Sequence, residues 1–235
     1  MEIKGISSQA LRLVLTELAE VYRRRFAIDV AIESIGGLDA ITRVQAGEAF
    51  DVVIMAADSI DKLIASGHLQ AGSRVDLVRS GVAVAVREGR PLPDISTEEA
   101  LKKTILSAKS IGYSTGPSGV AMVKLFERWG ILEAIGDRLV QATSGTPVGS
   151  LIARGELEIG FQQLSELLPI GGISILGPLP EAIRIVTTFS GALGSKAGQT
   201  EAARAFLAFL ASQEAAEAKR RQGMDPASSA PTRQG

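Results

Sequence analysis

The chain has 235 residues, 46% hydrophobic and 22% charged, with 25 Lys and Arg against 26 Asp and Glu. That length allows one large domain or two small ones, and so much apolar material excludes a largely disordered chain. The near-balanced charge leaves no electrostatic footprint for nucleic acid or anionic lipid, and 4% aromatic residues leave few stacking platforms for single strands.

Cysteine is absent, which removes disulfides, thiolate nucleophiles and Cys–metal clusters, and the single histidine, His68, excludes a His-rich metal site. No metal and no cofactor is predicted. No apolar run approaches the ~18–20 residues of a membrane span. The opening MEIKGISSQA lacks the basic-then-apolar pattern of an export signal. The chain is expected in the cytoplasm if Met1 is its natural start, and in the periplasm if a signal peptide was removed.

Ile3–Ile6 reads as a short strand, and Ala10–Arg25 as a helix in which Leu11, Val14, Leu15, Leu18 and Tyr22 recur at helical spacing. Ile28–Glu33 alternates as a strand and ends at Gly36-Gly37; Leu38–Ala46 is helical and stops at Gly47. Asp51–Met55 has a buried-strand pattern, followed by a helix over Ser59–Ala65 with Asp58 as its N-cap. This βαβαβα order predicts a parallel sheet with right-handed crossovers.

Val75–Val86 is longer and rich in β-formers, as is Ile183–Phe189. Between them lie a helix at Thr97–Leu106, a strand at Ser110–Tyr113, the turn STGPSG opening a helix to Trp129, and a strand near Leu139–Ala142. The loop SGTPVGS, a helix to Arg154 and the run Leu157–Phe161 follow. Two helices, Gln199–Ala211 and Gln213–Arg221, close the fold. The fold class is α/β: two doubly wound lobes joined by a two-strand hinge around a cleft. Residues 1–80 with 188–225 form lobe 1, residues 81–187 form lobe 2, and 226–235 form a flexible tail.

Four loops carry a strand end through Gly, Ser or Thr into a helix start: Ser7-Ser8, Ser34–Gly37, Ser114–Gly119 and Thr143–Thr146. A helix start offers unpaired N–H groups and about half a positive charge, small residues let an anion approach it, and hydroxyls add donors. Any one of these loops alone is an ordinary cap; four at the carboxyl ends of strands predict a small-anion site. The proposed contacts are Ser7, Ser8, Gly36, Gly37, Ser118, Gly119, Thr146 and Gln163, the last an amide that both donates and accepts. Arg79 lies inside an apolar β run, where it either snorkels to solvent or reaches a carboxylate ligand. Tyr113, Glu33, Asp39 and His68 are weak candidates for an acid or base, and Glu166 is expected to face solvent. Spacing alone assembles no nucleophile–base pair.

LTELAEVYRRR with IDVAIES, AITRVQAGEAFDVVIMAAD, LIARGELEIGF and AARAFLAFLASQEAAEAKRRQGM together resemble the type II periplasmic-binding-protein family, in its molybdate-binding branch. The resemblance runs from about Glu2 to Met224 and implies two lobes closing on a small solute. For transport members it also implies an ABC transporter permease as partner. The branch's oxyanion contacts fall near Ala10 (with Ser7 and Ser8 close by), Gly37, Ser118 and Gly145, and its tyrosine position falls at Gln163. Each donor lost around a tetrahedral dianion costs about 0.5–1.5 kcal/mol net. The exchange of hydroxyls and a phenol for glycines and glutamine therefore predicts a larger, planar organic carboxylate rather than molybdate. Aconitate isomerases resemble the same branch, so the alternative reading is an isomerase that shifts a proton in an unsaturated polycarboxylic acid.

Overall fold

The computed structural model describes residues 2–227. The chain divides into two compact units: unit 1 runs from the N-terminus to Ser80 and resumes at Thr188, and unit 2 is Gly81–Thr187. In chain order, unit 1 begins with β1 (Glu2–Ser8), α1 (Arg12–Phe26), β2 (Asp29–Ile35), α2 (Gly37–Gln45), β3 (Val52–Ala56) and α3 (Ala57–Ala65). Strand β4 (Val75–Arg87) then carries the chain into unit 2. That unit holds α4 (Glu98–Ser107), β5 (Ile111–Tyr113), α5 (Pro117–Arg128), α6 (Leu132–Ile135) and β6 (Leu139–Gln141). It continues with α7 (Val148–Ala153), β7 (Ile159–Gln163), α8 (Leu164–Leu167) and β8 (Ile173–Pro178). Strand β9 (Val186–Leu193) returns to unit 1, which ends in α9 (Thr200–Ala211), α10 (Ala216–Arg221) and β10 (Met224–Pro226).

In unit 1, β1 pairs in parallel with β2 and β3, as the βαβαβα order requires, and β9 adds to β3 antiparallel. Alternation along the strands divides their side chains between two cores. Ile3, Val52, Ile54, Phe189 and Leu193 pack with Leu15, Leu18, Tyr22 and Phe206 of α1 and α9, while Ile6, Val53, Met55 and Ala192 pack with Ala40, Val44, Ile60 and Leu63 of α2 and α3. Tyr22 meets Phe206 edge-on with ring centroids 5.0 Å apart, a geometry that suits the aromatic quadrupoles. Because helices cover both faces, β3 is buried at every residue.

Unit 2 repeats the plan. Strand β7 lies parallel to β5 and β5 parallel to β6, while β4 runs antiparallel to both β7 and β8. Val82, Val84, Ile159 and Phe161 face Leu101, Ile105, Met122 and Phe126; Ala83 and Ala85 face Val148, Ile152 and Leu167. The unit is a doubly wound α/β layer, so the fold class read from the sequence stands.

Some expected boundaries move. The expected strand Ile183–Phe189 begins only at Val186 and runs to Leu193, because Pro180 leads into a 3₁₀ turn at Glu181–Ile183 that turns Ile183 into the core. Asp58 is not an N-cap: α3 starts at Ala57, with Asp58 in its first turn, where a carboxylate still complements the helix dipole. Strand β8 and the short helices α6 and α8 add to the elements that the sequence pattern predicts. Pro226 and Ala227, expected in the tail, are held: Pro226 pairs with Val78, and Ala227 N donates to the Leu77 carbonyl at 3.2 Å. The rest of the expected tail, Ser228–Gly235, lies outside the described residues.

Candidate functional site

Unit 1 gathers its hydroxyls by strand register. Ser7 of β1 pairs with Ser34 of β2, so both side chains emerge on the same side of adjacent parallel strands. Their Oγ atoms are 2.7 Å apart and Ser7 is fully buried. The next pair, Ser8 and Ile35, leads into Gly36-Gly37, where α2 starts with Gly36, a residue without a side chain, as N-cap. The first backbone bond there runs from Ala40 N to Gly36 O, so the N–H groups of Gly37 and Leu38 precede the helix's own hydrogen-bond ladder. A Cβ on Gly37 would meet only Ser8 Oγ, at 3.8 Å, so the space over this helix start is open. Ser7, Ser8, Ser34, Gly36 and Gly37 thus converge at the carboxyl ends of β1 and β2. Asp39, exposed in the first turn of α2, lies at the same helix start.

Unit 2 builds a second helix start from STGPSG. Pro117 occupies the first turn of α5, where its missing N–H costs nothing, and Gly116 is the N-cap. Ser114 Oγ lies 3.0 Å from Ser118 Oγ and accepts from Gly116 N at 3.3 Å. Gly119 is required by packing: a Cβ there would sit 1.7 Å from the Ser114 carbonyl oxygen. Half-buried Tyr113 ends β5 just before this loop.

Strand β7 brings two glutamines to its carboxyl end, and alternation sends them to opposite faces. Gln162 turns toward α7, where its Oε1 accepts from Val148 N at 2.8 Å and its Nε2 donates to Glu166 Oε1 at 2.9 Å. Gln163 turns the other way, and its Nε2 donates to Thr187 Oγ1 at 2.8 Å. Glu166 departs from its solvent-facing expectation. Burial pushes its carboxyl up to about 7, a rise only partly opposed by the Gln162 hydrogen bond. The four-residue helix α8 carries no periodic signal long enough to reveal this burial.

Other candidates are not brought to these helix starts. His68 joins the far ends of α2 and α3, with Nδ1 2.8 Å from Ser66 Oγ and Nε2 3.2 Å from the Gln45 carbonyl. There it lines a hollow of about 300 Å³ with Glu48 and Lys196. Glu33 is paired with Arg43 at 2.7 Å. Thr146 folds back on its own turn, its Oγ1 2.8 Å from Thr143 Oγ1 and its N–H donating to the Thr143 carbonyl at 2.9 Å. Part-buried Arg79 sits in β4 opposite Asp225. Among the described residues, no group of three or more His, Asp or Glu could hold a metal ion, and no helix is long and apolar enough to cross a membrane.

Residues 3–225 match the sequence profile of the bacterial extracellular solute-binding proteins. The chain belongs to this family. Among relatives of this solute-binding protein, an aconitate isomerase from Pseudomonas sp is 39% identical over 232 residues, covering 96% of this chain and 88% of that one. The structure is similar to the periplasmic molybdate-binding protein of Azotobacter vinelandii, with a TM-score of 0.79 at 19% identity over 94% of this chain and 98% of that one. It is also similar to L-phospholactate-bound PEB3, with a TM-score of 0.71 at 15% identity over 95% and 99% of the two chains. The likeness to the molybdate-binding branch read in the sequence therefore holds for the fold of this solute-binding protein.

Proposed function

We propose that this solute-binding protein captures a small organic carboxylate through backbone amides and hydroxyls at helix starts. In unit 1 the contacts are Ser7, Ser8, Gly36 and Gly37; in unit 2 they are Ser118, Gly119 and Gln163. Thr146 belongs to the same proposal only if its turn opens, since Thr143 engages both its hydroxyl and its backbone N–H. The observation that carries the reading is the glycine-capped start of α2, open above Gly37 and flanked by the Ser7–Ser34 hydroxyl pair. Neutral amide and hydroxyl donors at a helix start suit an anion without any excess of basic residues. Glycine at position 37 leaves room that a compact tetrahedral oxyanion does not need. A solved relative in fold holds phospholactate, itself a carboxylate.

A thermal-shift screen of di- and tricarboxylates beside molybdate, tungstate and sulfate tests the reading. A carboxylate is expected to raise the melting temperature most, by mass action on the folded state. No shift with any anion contradicts it. A permease of the ABC transporter type is the partner that this function would serve.

A second reading has a specific observation in its favour: a relative 39% identical over nearly the whole chain is an aconitate isomerase. In an isomerase of an unsaturated polycarboxylic acid, a base removes a proton from the carbon beside the double bond. The double bond shifts, and the proton returns at the other end of the three-carbon unit, so no oxidant or reductant is needed. A carboxyl held near neutrality can both take and return that proton, and Glu166 is such a group. Incubation with trans-aconitate, followed by chromatography for the cis isomer, separates the readings: turnover supports the isomerase, and its absence at high protein concentration removes that substrate.

A further inference from the structure

Gln163 is 1% exposed and ends β7 on the face shared by Ile159 and Phe161. Its amide is half satisfied. Nε2 donates to Thr187 Oγ1, whereas Oε1 is buried and has no hydrogen-bond partner among the described residues. Buried side-chain carbonyls are nearly always served by a donor, so this one points to a donor that arrives with something else. The atom is an acceptor with two lone pairs and carries no hydrogen of its own. A bare carboxylate or a fully deprotonated metal oxyanion placed against it brings only another oxygen lone pair. A hydroxyl group brings the missing hydrogen.

We infer that Gln163 is a specificity-determining residue, whose Oε1 accepts a hydrogen bond from a hydroxyl of the ligand and so selects hydroxy acids among small carboxylates. This inference rests on the carboxylate reading above and narrows it. Thr187 fixes the amide by engaging Nε2, which leaves Oε1 as the atom that meets the ligand. In unit 2, the Ser114–Ser118 helix start is the complementary feature, donor-rich where Gln163 Oε1 is an acceptor.

The test is calorimetric titration of matched pairs that differ by one hydroxyl: malate against succinate, and citrate against tricarballylate. It is run at about pH 8, well above the carboxyl range, so that no acid proton stands in for the hydroxyl. The wild-type chain is expected to favour the hydroxy acid of a pair by about tenfold, the worth of one neutral hydrogen bond. Gln163→Met, similar in length but without the amide acceptor, is expected to bring the ratio close to one. Gln163→Glu keeps an acceptor and is expected to keep the ratio while weakening both ligands. The wild-type ratio is informative even if a variant does not fold. Equal affinity of wild type for the members of each pair overturns the inference and leaves the carboxylate reading standing. A preference that survives in Gln163→Met also overturns it. Binding of no carboxylate at all overturns both.

Discussion

Each unit takes a carboxylate out of full contact with water, Asp51 buried and Glu166 half-buried, and the two are treated in opposite ways. Asp51 of unit 1 accepts from three backbone amides: Lys4 N at 2.9 Å, Gly198 N at 2.8 Å and Gln199 N at 2.9 Å. It fastens the start of β1 to the segment leading into α9. Glu166 of unit 2 has one amide donor, the Gln162 side chain, and burial holds its carboxyl up near 7. A carboxylate ringed by backbone N–H groups has its charge served by the fold; one given a single neutral donor has its charged form disfavoured by burial. The two helix starts differ in the same manner. Gly37 has open space above it, whereas Gly119 is glycine because the Ser114 carbonyl occupies the place of its side chain. The helix start of unit 1 is therefore the more open of the two, and that of unit 2 the more tightly packed.

The largest effect is expected from Asp51→Ala. Removing the acceptor strands three buried or half-buried amides, a loss of about 3–5 kcal/mol in chemical denaturation. A loss below about 1 kcal/mol would mean that Asp51 is not the structural carboxylate of the pair.

Glu166→Gln probes the other carboxylate through pH. The folded-state value of Glu166 lies above its ordinary 4.5, at about 7, so the folded chain holds this proton more tightly than the unfolded chain. Wild-type stability should therefore fall as pH rises from 4.5 to about 7 and stay lower above that. Glu166→Gln lacks that fall. Its advantage should be near zero at pH 4.5 and grow to on the order of 3 kcal/mol above pH 7. Parallel stability profiles for the two proteins would remove Glu166 from any proton-exchanging role.

The paired glycines give a smaller contrast. Gly119→Ala forces a Cβ onto the Ser114 carbonyl and should cost about 1–3 kcal/mol, as overpacking does. Gly37→Ala meets nothing closer than 3.8 Å and should leave thermal stability nearly unchanged while weakening ligand binding. Equal destabilisation by the two changes would erase the distinction between an open and a packed helix start.

Much of this arrangement was legible in the sequence, and the reasons for the exceptions are local. The order of strands and amphipathic helices gave the doubly wound α/β class, because alternation and helical period each fix which residues face the core. The Ser34–Gly37 loop was legible as a helix start because Gly-Gly follows an alternating strand. The Ser7–Ser34 hydroxyl bond was not legible, since it depends on β1 and β2 pairing with Ser7 opposite Ser34. Thr146 looked like a donor, but a turn with Gly145 at φ +79° lets it bond Thr143 instead. His68 looked available, but it is engaged at the ends of α2 and α3 opposite the serine loops. Glu166 was read as solvated because nothing in a four-residue helix announces which side is covered. Gln163 was legible as a candidate contact, but its unserved carbonyl shows only once Thr187 is seen to take the other end of the amide.

Capture of a small carboxylate at the proposed helix starts is tested most directly by titration calorimetry on one variant from each unit. With the best carboxylate from the thermal screen, Ser34→Ala and Ser118→Ala should each weaken binding by about three- to tenfold, the span of one hydrogen bond. Their folds should be retained. If molybdate outbinds every carboxylate, or if both variants bind as the wild type does, the proposed carboxylate site is contradicted.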